Sequence, residues 1–228
     1  MSNKSALVLG SSGLVGSELL KYLLKDPEYS RVVAPVRKRL PFEHPKLEQL
    51  VIDFEDLENY QEYFILDQVF CCLGTTMKKA GTKEAFVKVD LEYPFRSAKM
   101  AKKSGVKKFL IISALGANEK SLVFYNHVKG QVENGIKKLG LDSLDIFRPS
   151  LLLGDRTEFR PAEKAAAILL KLIPLSFIGP LKRYRPVEAK AVAFAMYSAA
   201  LKGTVGISIY ESDKISEIYS NRENQPGA

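Results

Sequence analysis

Tryptophan is absent from the 228-residue chain, which also has only two cysteines and two histidines. The cysteines, Cys71 and Cys72, are adjacent, so they offer neither a disulfide framework nor the ligand spacing of a metal site. The histidines lie far apart, which argues against a zinc site. No long uninterrupted apolar run is present, because the most apolar stretch, 165–181, contains a lysine, prolines and a glycine. We therefore expect no metal centre and no transmembrane segment.

The sequence also shows no secretory pattern. Its first apolar segment, Ala6–Leu9, runs directly into glycines instead of a cleavage site. Together with the absence of a disulfide framework, this favours a reducing, intracellular compartment. We expect a cytoplasmic protein.

Basic residues outnumber acidic ones, 34 Lys and Arg against 26 Asp and Glu, which gives a net charge of +8. Such an excess invites the hypothesis of a nucleic-acid partner. The basic residues form separate groups, however, and none is interleaved with aromatic residues in a nucleic-acid motif. We therefore disfavour nucleic acid and expect a solvated basic surface with an anionic small ligand, keeping nucleic acid or acidic lipid as the alternative.

Strand patterns and amphipathic helix patterns alternate along the chain up to Pro149. This order predicts an α/β fold, a Rossmann-like doubly wound parallel sheet flanked by helices. Asp90 is predicted to cap a helix that has Pro94 in its opening turn. The predicted strands are Ala6–Leu9, Arg31–Val36, Leu50–Phe54, Gln68–Leu73, Lys108–Ser113 and Leu144–Arg148. The predicted helices are Leu14–Lys25, Lys83–Val89, Leu91–Lys103 and Val123–Leu139.

The pattern becomes less regular after Pro149, where we predict helices at Pro161–Leu172 and Val187–Lys202 and a strand at Gly206–Tyr210. We expect a single NAD(P)-binding domain over 1–220, with a cofactor-binding core at 1–150, a smaller substrate-side region at 151–220 and a disordered tail at 221–228. The apolar segment 165–181 has three interpretations: a core helix followed by a loop, a substrate lid, or an interface with protein or lipid.

A glycine-rich loop joins the first predicted strand to the first helix, which is the context that a phosphate-binding loop needs. Backbone without side chains lets a phosphate approach, and the helix N-terminus supplies amides and partial positive charge. The spacing is Gly-x-x-Gly-x-x-Gly instead of the dinucleotide fingerprint, so a simple tight turn is the alternative. The residues of this candidate phosphate site are Gly10, Ser12, Gly13, Leu14, Val15 and Gly16.

The second predicted strand, Arg31–Val36, is followed by Arg37 and Lys38. An NAD site would have an acidic residue at this position to accept hydrogen bonds from the ribose hydroxyls. A guanidinium matches a phosphate with forked donors, so NADP(H) is the better match, with a solvated basic loop as the alternative. Other strand ends offer further contacts. Asp53 and Phe54 could bind adenine, and Leu73, Gly74 and Thr75 could lie beside the ribose and pyrophosphate.

Ser113, Tyr125 and Lys129 form the candidate catalytic group. The tyrosine and lysine are four residues apart, so on a helix they share one face. An ammonium beside a phenol favours the phenolate, while a serine hydroxyl can orient a carbonyl oxygen between them. The same spacing occurs at Ser198, Tyr210 and Lys214, but only the first group follows a predicted strand end that can face the cofactor.

The glycine loop, Ser113 and the Tyr-x-x-x-Lys spacing resemble the short-chain dehydrogenase/reductase superfamily. Residues 71–81, the Val-Lys-Gly after Tyr125 and the stretch from Phe147 to Pro161 more closely resemble its atypical group, which contains the Tat-interacting protein oxidoreductase. The resemblance implies a Rossmann fold and bound NADPH. It also implies cofactor contact at Ser12, Gly13, Leu14, Val15, Arg37, Lys38, Leu73, Gly74, Tyr125, Lys129, Leu152 and Arg160. For Arg160, a surface arginine is the alternative.

This resemblance is incomplete in two respects, the first being that the motif after strand four is not the usual Asn-Asn-Ala-Gly. Many superfamily members have an Asn in the helix after strand four, which completes a proton relay, whereas this chain has Asp90 in that region. From the motifs and the resemblance together, we predict an NADPH-dependent oxidoreductase that acts on a small carbonyl or hydroxyl substrate. The alternative is an NADPH-binding regulatory protein with little turnover. A further alternative is that the residues after 150 bind a protein partner or a second copy of the chain.

Overall fold

Seven parallel strands form the central sheet of the computed structural model, which describes residues 3–154 and 179–222. The order across the sheet is β3-β2-β1-β4-β5-β6-β9, which confirms the predicted Rossmann-like fold class. Two short strands, β7 and β8, pair separately. The strands are β1 (Lys4–Leu9), β2 (Tyr29–Val36), β3 (Leu47–Val51), β4 (Gln68–Cys71), β5 (Lys108–Ile112), β6 (Ser143–Arg148), β7 (Leu152–Leu153), β8 (Val187–Glu188) and β9 (Gly206–Glu211).

Helices cover both faces of this sheet because successive strand residues point to opposite sides. In β1, Ala6 and Val8 pack on the face covered by α1, α6 and α7, whereas Leu7 and Leu9 pack on the face covered by α4 and α5. The helices are α1 (Leu14–Lys25), α2 (Met77–Ala80), α3 (Lys83–Val87), α4 (Tyr93–Lys103), α5 (Phe124–Lys137), α6 (Ala189–Leu201) and α7 (Ser212–Ser220). Within the described residues, 3-10 segments lie at Phe54–Phe64 and Gly179–Tyr184.

A π-helical turn, Lys88–Glu92, connects α3 to α4 without a break. The Tyr93 amide donates to the Lys88 carbonyl, five residues back. Pro94 has no amide proton for the Asp90 carbonyl four residues earlier, and its ring would crowd that carbonyl in a regular α-helix. The predicted break at Asp90 is therefore wrong: Asp90 lies inside the continuous helix, and its side chain is buried.

The amino edge of the sheet anchors α6. Gln68, the first residue of β4, donates to the Ala200 carbonyl over 2.8 Å. Lys108, the first residue of β5, donates to the Ala199 carbonyl over 2.7 Å and to the Lys202 carbonyl over 2.8 Å. These side chains satisfy carbonyls that a helix C-terminus leaves without intrahelical partners.

Several element boundaries differ from the prediction. The third strand is Leu47–Val51 instead of Leu50–Phe54, and Asp53 accepts from the Glu55 amide at the start of a 3-10 segment. The predicted helix Val187–Lys202 begins with the short strand β8, and α7 was not predicted at all. The predicted helix Pro161–Leu172 and residues 223–228 of the predicted tail lie outside the described residues, as does 165–178 of the apolar segment. Among residues 3–154 and 179–222, no helix has the length and apolarity needed to cross a membrane.

Candidate functional site

The glycine loop between β1 and α1 crosses directly over the end of β4. Gly10 has a positive φ of 75°, and a Cβ there would lie 2.6 Å from the Cys72 carbonyl oxygen. A Cβ on Gly16 would lie 2.2 Å from the Gly10 carbonyl oxygen. Gly13 is the N-cap of α1, and its amide donates to the Gly10 carbonyl over 2.9 Å. The loop therefore needs glycine at these positions for close backbone packing, beyond what a tight turn requires.

A cleft of about 680 Å³ opens beside this loop, at the carboxyl ends of β1, β4 and β5. The strand order reverses between β1 and β4, and open α/β sheets bind ligands at this kind of switch point. The cleft is lined by Ser12, Gly13, Leu14, Val15, Ser17, Cys72, Leu73, Gly74, Thr75, Thr76, Met77, Lys79, Asp90, Ile112, Ser113, Tyr125, Lys129, Ser150, Leu151 and Leu152.

Ser113, Tyr125 and Lys129 all line this cleft. Ser113 follows β5 and is 3% exposed, and its Oγ atom has no hydrogen-bond partner among the described residues. Tyr125 begins α5 and is 37% exposed, with its ring 5.8 Å from that of Phe86. A buried hydroxyl without a partner is costly, so the Ser113 hydroxyl is suited to bond a ligand atom inside the cleft.

Lys129 forms a buried ion pair with Asp90. Its Nζ atom lies 2.7 Å from the Asp90 Oδ1, and the two side chains are 5% and 1% exposed. The other carboxylate oxygen accepts the Thr75 amide over 2.8 Å. Burial by itself lowers the pKa of Lys129, but the charges of Asp90 and Tyr125 and the hydrogen bond to Asp90 outweigh burial, so the pKa is raised above its usual value. Lys129 is therefore a protonated ammonium in the cleft wall.

The second group with the same spacing is not assembled at the cleft. Tyr210 stacks on Phe147 with ring centroids 4.7 Å apart, and Lys214 pairs with Glu217 over 3.0 Å on α7. Ser198 is buried within α6. None of the three lines the cleft, so the fold brings together only the group around Tyr125.

Six of the predicted cofactor residues that the structure describes do not line the cleft: Gly10, Gly16, Arg37, Lys38, Asp53 and Phe54. Arg37 and Lys38 follow β2, are exposed, and form no ion pair within the described part of the chain. Asp53 accepts from the Glu55 amide over 2.9 Å, and Phe54 is 7% exposed with its ring 5.5 Å from that of Tyr93. Phe54 is therefore largely buried, and its contact with an adenine stays a prediction.

Leu152 is in β7 and lines the cleft, whereas Arg160 lies outside the described residues. Sequence reasoning missed several lining residues. Ser150 and Leu151 follow β6 at the carboxyl edge, so the rule that ligands bind at strand ends would have found them. Met77 and Lys79 belong to the short helix α2, which was not predicted. Among the described residues, no group of three or more His, Cys, Asp or Glu side chains is placed to bind a metal ion.

The sequence is similar to one defined family and to curated relatives. A profile described as the NAD dependent epimerase/dehydratase family matches residues 6–121. Protein HTATIP2 from Rattus norvegicus is 42% identical over 181 residues, which cover 78% of this chain and 74% of the relative. Protein FMP52-1, mitochondrial, from Scheffersomyces stipitis is 32% identical over 229 residues, 94% of this chain and 98% of the relative. These matches confirm the resemblance drawn from the motifs.

Solved structures share the fold. The Bordetella bronchiseptica enzyme WbmH, crystallised in complex with NAD+, aligns with a TM-score of 0.69 at 18% identity over 95% of this chain and 79% of its own. A UDP-glucose 4-epimerase from Thermotoga maritima, crystallised with UDP-glucose, aligns with a TM-score of 0.68 at 17% identity over 96% and 82%. At this identity, the alignments establish a common fold for the three proteins.

The relatives also correct one expectation. Proteins named FMP52 from Scheffersomyces stipitis, Candida albicans and Eremothecium gossypii carry the word mitochondrial in their names. The expectation of a cytoplasmic protein is therefore wrong. Cysteine usage, on which that expectation was partly based, does not distinguish the cytoplasm from a mitochondrion.

Proposed function

Because the chain belongs to the NAD dependent epimerase/dehydratase family, we propose that it is an NADP(H)-dependent oxidoreductase that interconverts a small carbonyl compound and its alcohol. The observation that carries this proposal is the placement of Ser113, Tyr125 and Lys129 in one cleft with the glycine loop. Ser113 supplies a hydroxyl that can bond a carbonyl oxygen, and Tyr125 supplies an exchangeable proton. Lys129 supplies a fixed positive charge. This combination suits proton transfer coupled to hydride transfer.

The residues present fit a dinucleotide. Gly10 and Gly16 let the loop pack closely on the end of β4 and on itself, where a Cβ would clash, and Gly13 caps the N-terminus of α1 beside the cleft. A helix N-terminus with bare backbone amides favours a phosphate group. Ser12, Gly13, Leu14 and Val15 would hold the pyrophosphate, and Leu73, Gly74 and Thr75 would lie along the ribose. The bound nicotinamide would supply or accept the hydride.

The phosphorylated cofactor is the better match to the end of β2. Arg37 and Lys38 are exposed there, and no ion pair within the described residues occupies either charge. An acidic residue at this position would accept hydrogen bonds from ribose hydroxyls, whereas a guanidinium matches the oxygens of a 2′-phosphate. Arg37 would bind that phosphate, and Lys38 would add a second charge.

In the reductive direction, Tyr125 would donate its phenolic proton to the substrate carbonyl oxygen. Ser113 would donate a hydrogen bond to the same oxygen and hold it within reach of the phenol. Lys129 would stabilise the phenolate that remains on Tyr125. In the oxidative direction, the Tyr125 phenolate would accept the proton from the alcohol.

The proposed role of Tyr125 predicts that Tyr125→Phe will bind NADPH as tightly as the wild type but will lose turnover by at least about 100-fold, a typical contribution of general acid–base catalysis. Binding is measured by fluorescence titration of NADPH, and turnover by NADPH oxidation with a panel of aldehydes and ketones. Tyr210→Phe is the matched control, because Tyr210 has the same Ser and Lys spacing but lies outside the cleft.

Equal turnover by Tyr125→Phe and Tyr210→Phe would rule out the catalytic role. If the wild type binds NADPH but oxidises it with no member of the panel, the regulatory alternative replaces the enzyme. The open cleft favours the enzyme, because Tyr125 is 37% exposed at its wall instead of being covered by side chains.

A further inference from the structure

The charge of Lys129 is shared between two partners in the cleft wall. Tyr125 lies one helical turn earlier on α5, and Asp90 approaches from the π-helical turn before α4. The contact with Asp90 is a short ion pair of 2.7 Å, and both side chains are almost completely buried. In a buried setting, such a contact strongly couples the two charges.

We propose that Asp90 is a positioning residue that holds Lys129 in place as a charged ammonium beside Tyr125, so that Asp90 sets the pH at which Tyr125 exchanges its proton. This inference rests on the proposed function of Tyr125 as the proton donor. A lysine alone beside a phenol favours the phenolate. A carboxylate in direct contact with that lysine keeps it protonated in a buried site, where burial alone would favour the neutral amine.

The Asp90 carboxylate is fixed on two sides. One oxygen pairs with Lys129, and the other accepts the Thr75 amide over 2.8 Å. Thr75 belongs to the cleft wall after β4, so Asp90 also fixes the backbone of that wall. Gly74 lies beside the pair, since a Cβ there would lie at contact distance, 3.5 Å from the Asp90 Oδ1 and 3.9 Å from the Lys129 Nζ.

The π-helical turn explains how Asp90 reaches Lys129. Each residue of a π turn advances by a smaller angle than a residue of an α-helix, so the turn changes which side chains face α5. Pro94 imposes the turn by removing the amide that would bond the Asp90 carbonyl. The carboxylate therefore points into the wall of the cleft, and its residue is 1% exposed.

The other ionisable groups near the Asp90–Lys129 pair are two cysteines and a lysine. Cys71, on β4, also interacts with Lys129, but burial raises the pKa of its thiol to about 12, so it is uncharged near neutral pH. Burial likewise raises the pKa of Cys72, which lines the cleft. Lys79 lines the cleft from α2 and adds positive charge. Among the described lining residues, Asp90 is the acidic side chain.

The test is a tyrosinate absorbance titration of the full chain, which needs no substrate. Asp90→Asn keeps an oxygen for the Thr75 amide but removes the negative charge, and Asp90→Ser does the same with a smaller side chain. Each protein is titrated with and without Tyr125→Phe, and the difference reports Tyr125 alone. We expect the Tyr125 transition to move to higher pH by about one unit or more in both variants, because burial then favours the neutral form of Lys129 and the Tyr125 phenolate loses its positive neighbour.

Asp145→Asn is the matched control. Asp145 also forms a buried ion pair with a lysine, Lys108, over 3.2 Å, with side chains that are 1% and 6% exposed. That pair lies toward the amino edge of the sheet, away from Tyr125. The control removes one buried carboxylate beside a lysine, as the test variants do, and is expected to leave the Tyr125 transition at the wild-type pH.

A Tyr125 transition at the wild-type pH, or below it, in either folded variant would overturn the role of Asp90. So would the failure of both variants to fold while Asp145→Asn folds, because Asp90 would then serve stability. In turnover assays, the pH profile of kcat should shift in the same direction as the titration. If the wild type shows no turnover at all, the oxidoreductase proposal fails, while the titration still decides the role of Asp90.

Discussion

Arg37 is the residue on which the choice of cofactor depends most directly. It follows β2 with an exposed side chain and no ion-pair partner among the described residues, and Lys38 is exposed beside it. An exposed guanidinium without a carboxylate partner is free to bind an anion in a forked arrangement. The sequence made this prediction without any structure, because the position depends only on the end of a strand.

We predict that Arg37→Asp will weaken NADPH binding by about 10- to 100-fold, since a hydrogen bond to a charged group contributes about 1.5–3 kcal/mol. NADH binding should stay the same or improve, because the new carboxylate can accept from ribose hydroxyls. Dissociation constants for both cofactors measure this. Arg39→Asp makes the same charge change two residues later and should have a smaller effect. Unchanged NADPH affinity in Arg37→Asp would refute the assignment.

Ser113, Tyr125 and Lys129 could be grouped from the sequence because strand ends and helical spacing are local signals. The ion-pair partner of Lys129 could not be identified from the sequence. Asp90 was predicted to cap a helix, since Asp followed by Pro94 is a common helix start. A contact between two distant helices depends on tertiary packing, which a local pattern does not record. Phe54 was placed at the end of a predicted strand because the residues before it have a strand-like apolar pattern. In the structure it begins a 3-10 segment, and its ring packs on Tyr93.

At the scale of elements, α6 is held by side chains from the first residues of two strands. Lys108 donates to two carbonyls at its C-terminus and also to the Thr204 hydroxyl over 2.9 Å. Its ammonium lies 3.2 Å from Asp145, whose pKa burial raises, while Lys108 opposes that rise. A buried lysine with this many partners stabilises the junction between the helix and the sheet.

We predict that Lys108→Met will lower the free energy of unfolding by about 3–5 kcal/mol, because Asp145 would be left as a buried charge without its partner. Chemical denaturation measures the loss. The double variant Lys108→Met/Asp145→Leu should recover much of it, since it removes both charges together. A double variant no more stable than Lys108→Met would show that the helix carbonyls, not Asp145, account for the loss.

Element boundaries followed the strength of the local pattern. Helix Leu14–Lys25 was predicted with its observed bounds because the glycine loop and Asp26-Pro27 mark its ends. Strand β3 was displaced because its residues are only partly buried and show little alternation. Helix α7 was missed because only Ile215 and Ile218 give its polar sequence a buried apolar side. The bounds of weakly apolar elements at the edge of a sheet depend on tertiary contacts, which a local sequence pattern does not reveal.

At the scale of the whole molecule, the proposed cofactor site joins parts of the chain that are distant in sequence. Residues from the glycine loop, from the ends of β4 and β5, from α5 and from the segment after β6 line one cleft. A ligand bound there contacts both halves of the sheet at the switch between β1 and β4. Binding should therefore stabilise the fold as a unit.

We predict that NADPH at about a hundred times its dissociation constant will stabilise the protein by about 2.7 kcal/mol. For a chain of this size, this corresponds to a rise in Tm of roughly 5–10 °C. Differential scanning fluorimetry measures the rise, with NADH at the same concentration as the comparison. An equal rise with NADH would contradict the preference for the phosphorylated cofactor, and no rise with either would contradict cofactor binding.

The two edges of the sheet are separated by the full length of its strands, about 17 Å for a strand of five residues. Gln68 and Lys108 anchor α6 at one edge, whereas Ser113 and Tyr125 belong to the other. Loops at the carboxyl edge can therefore accept substitutions without disturbing that anchor. Directed evolution confined to those loops would alter the cleft on a scaffold whose helix anchorage remains intact, which makes this chain a suitable starting point for redesigned ligand sites.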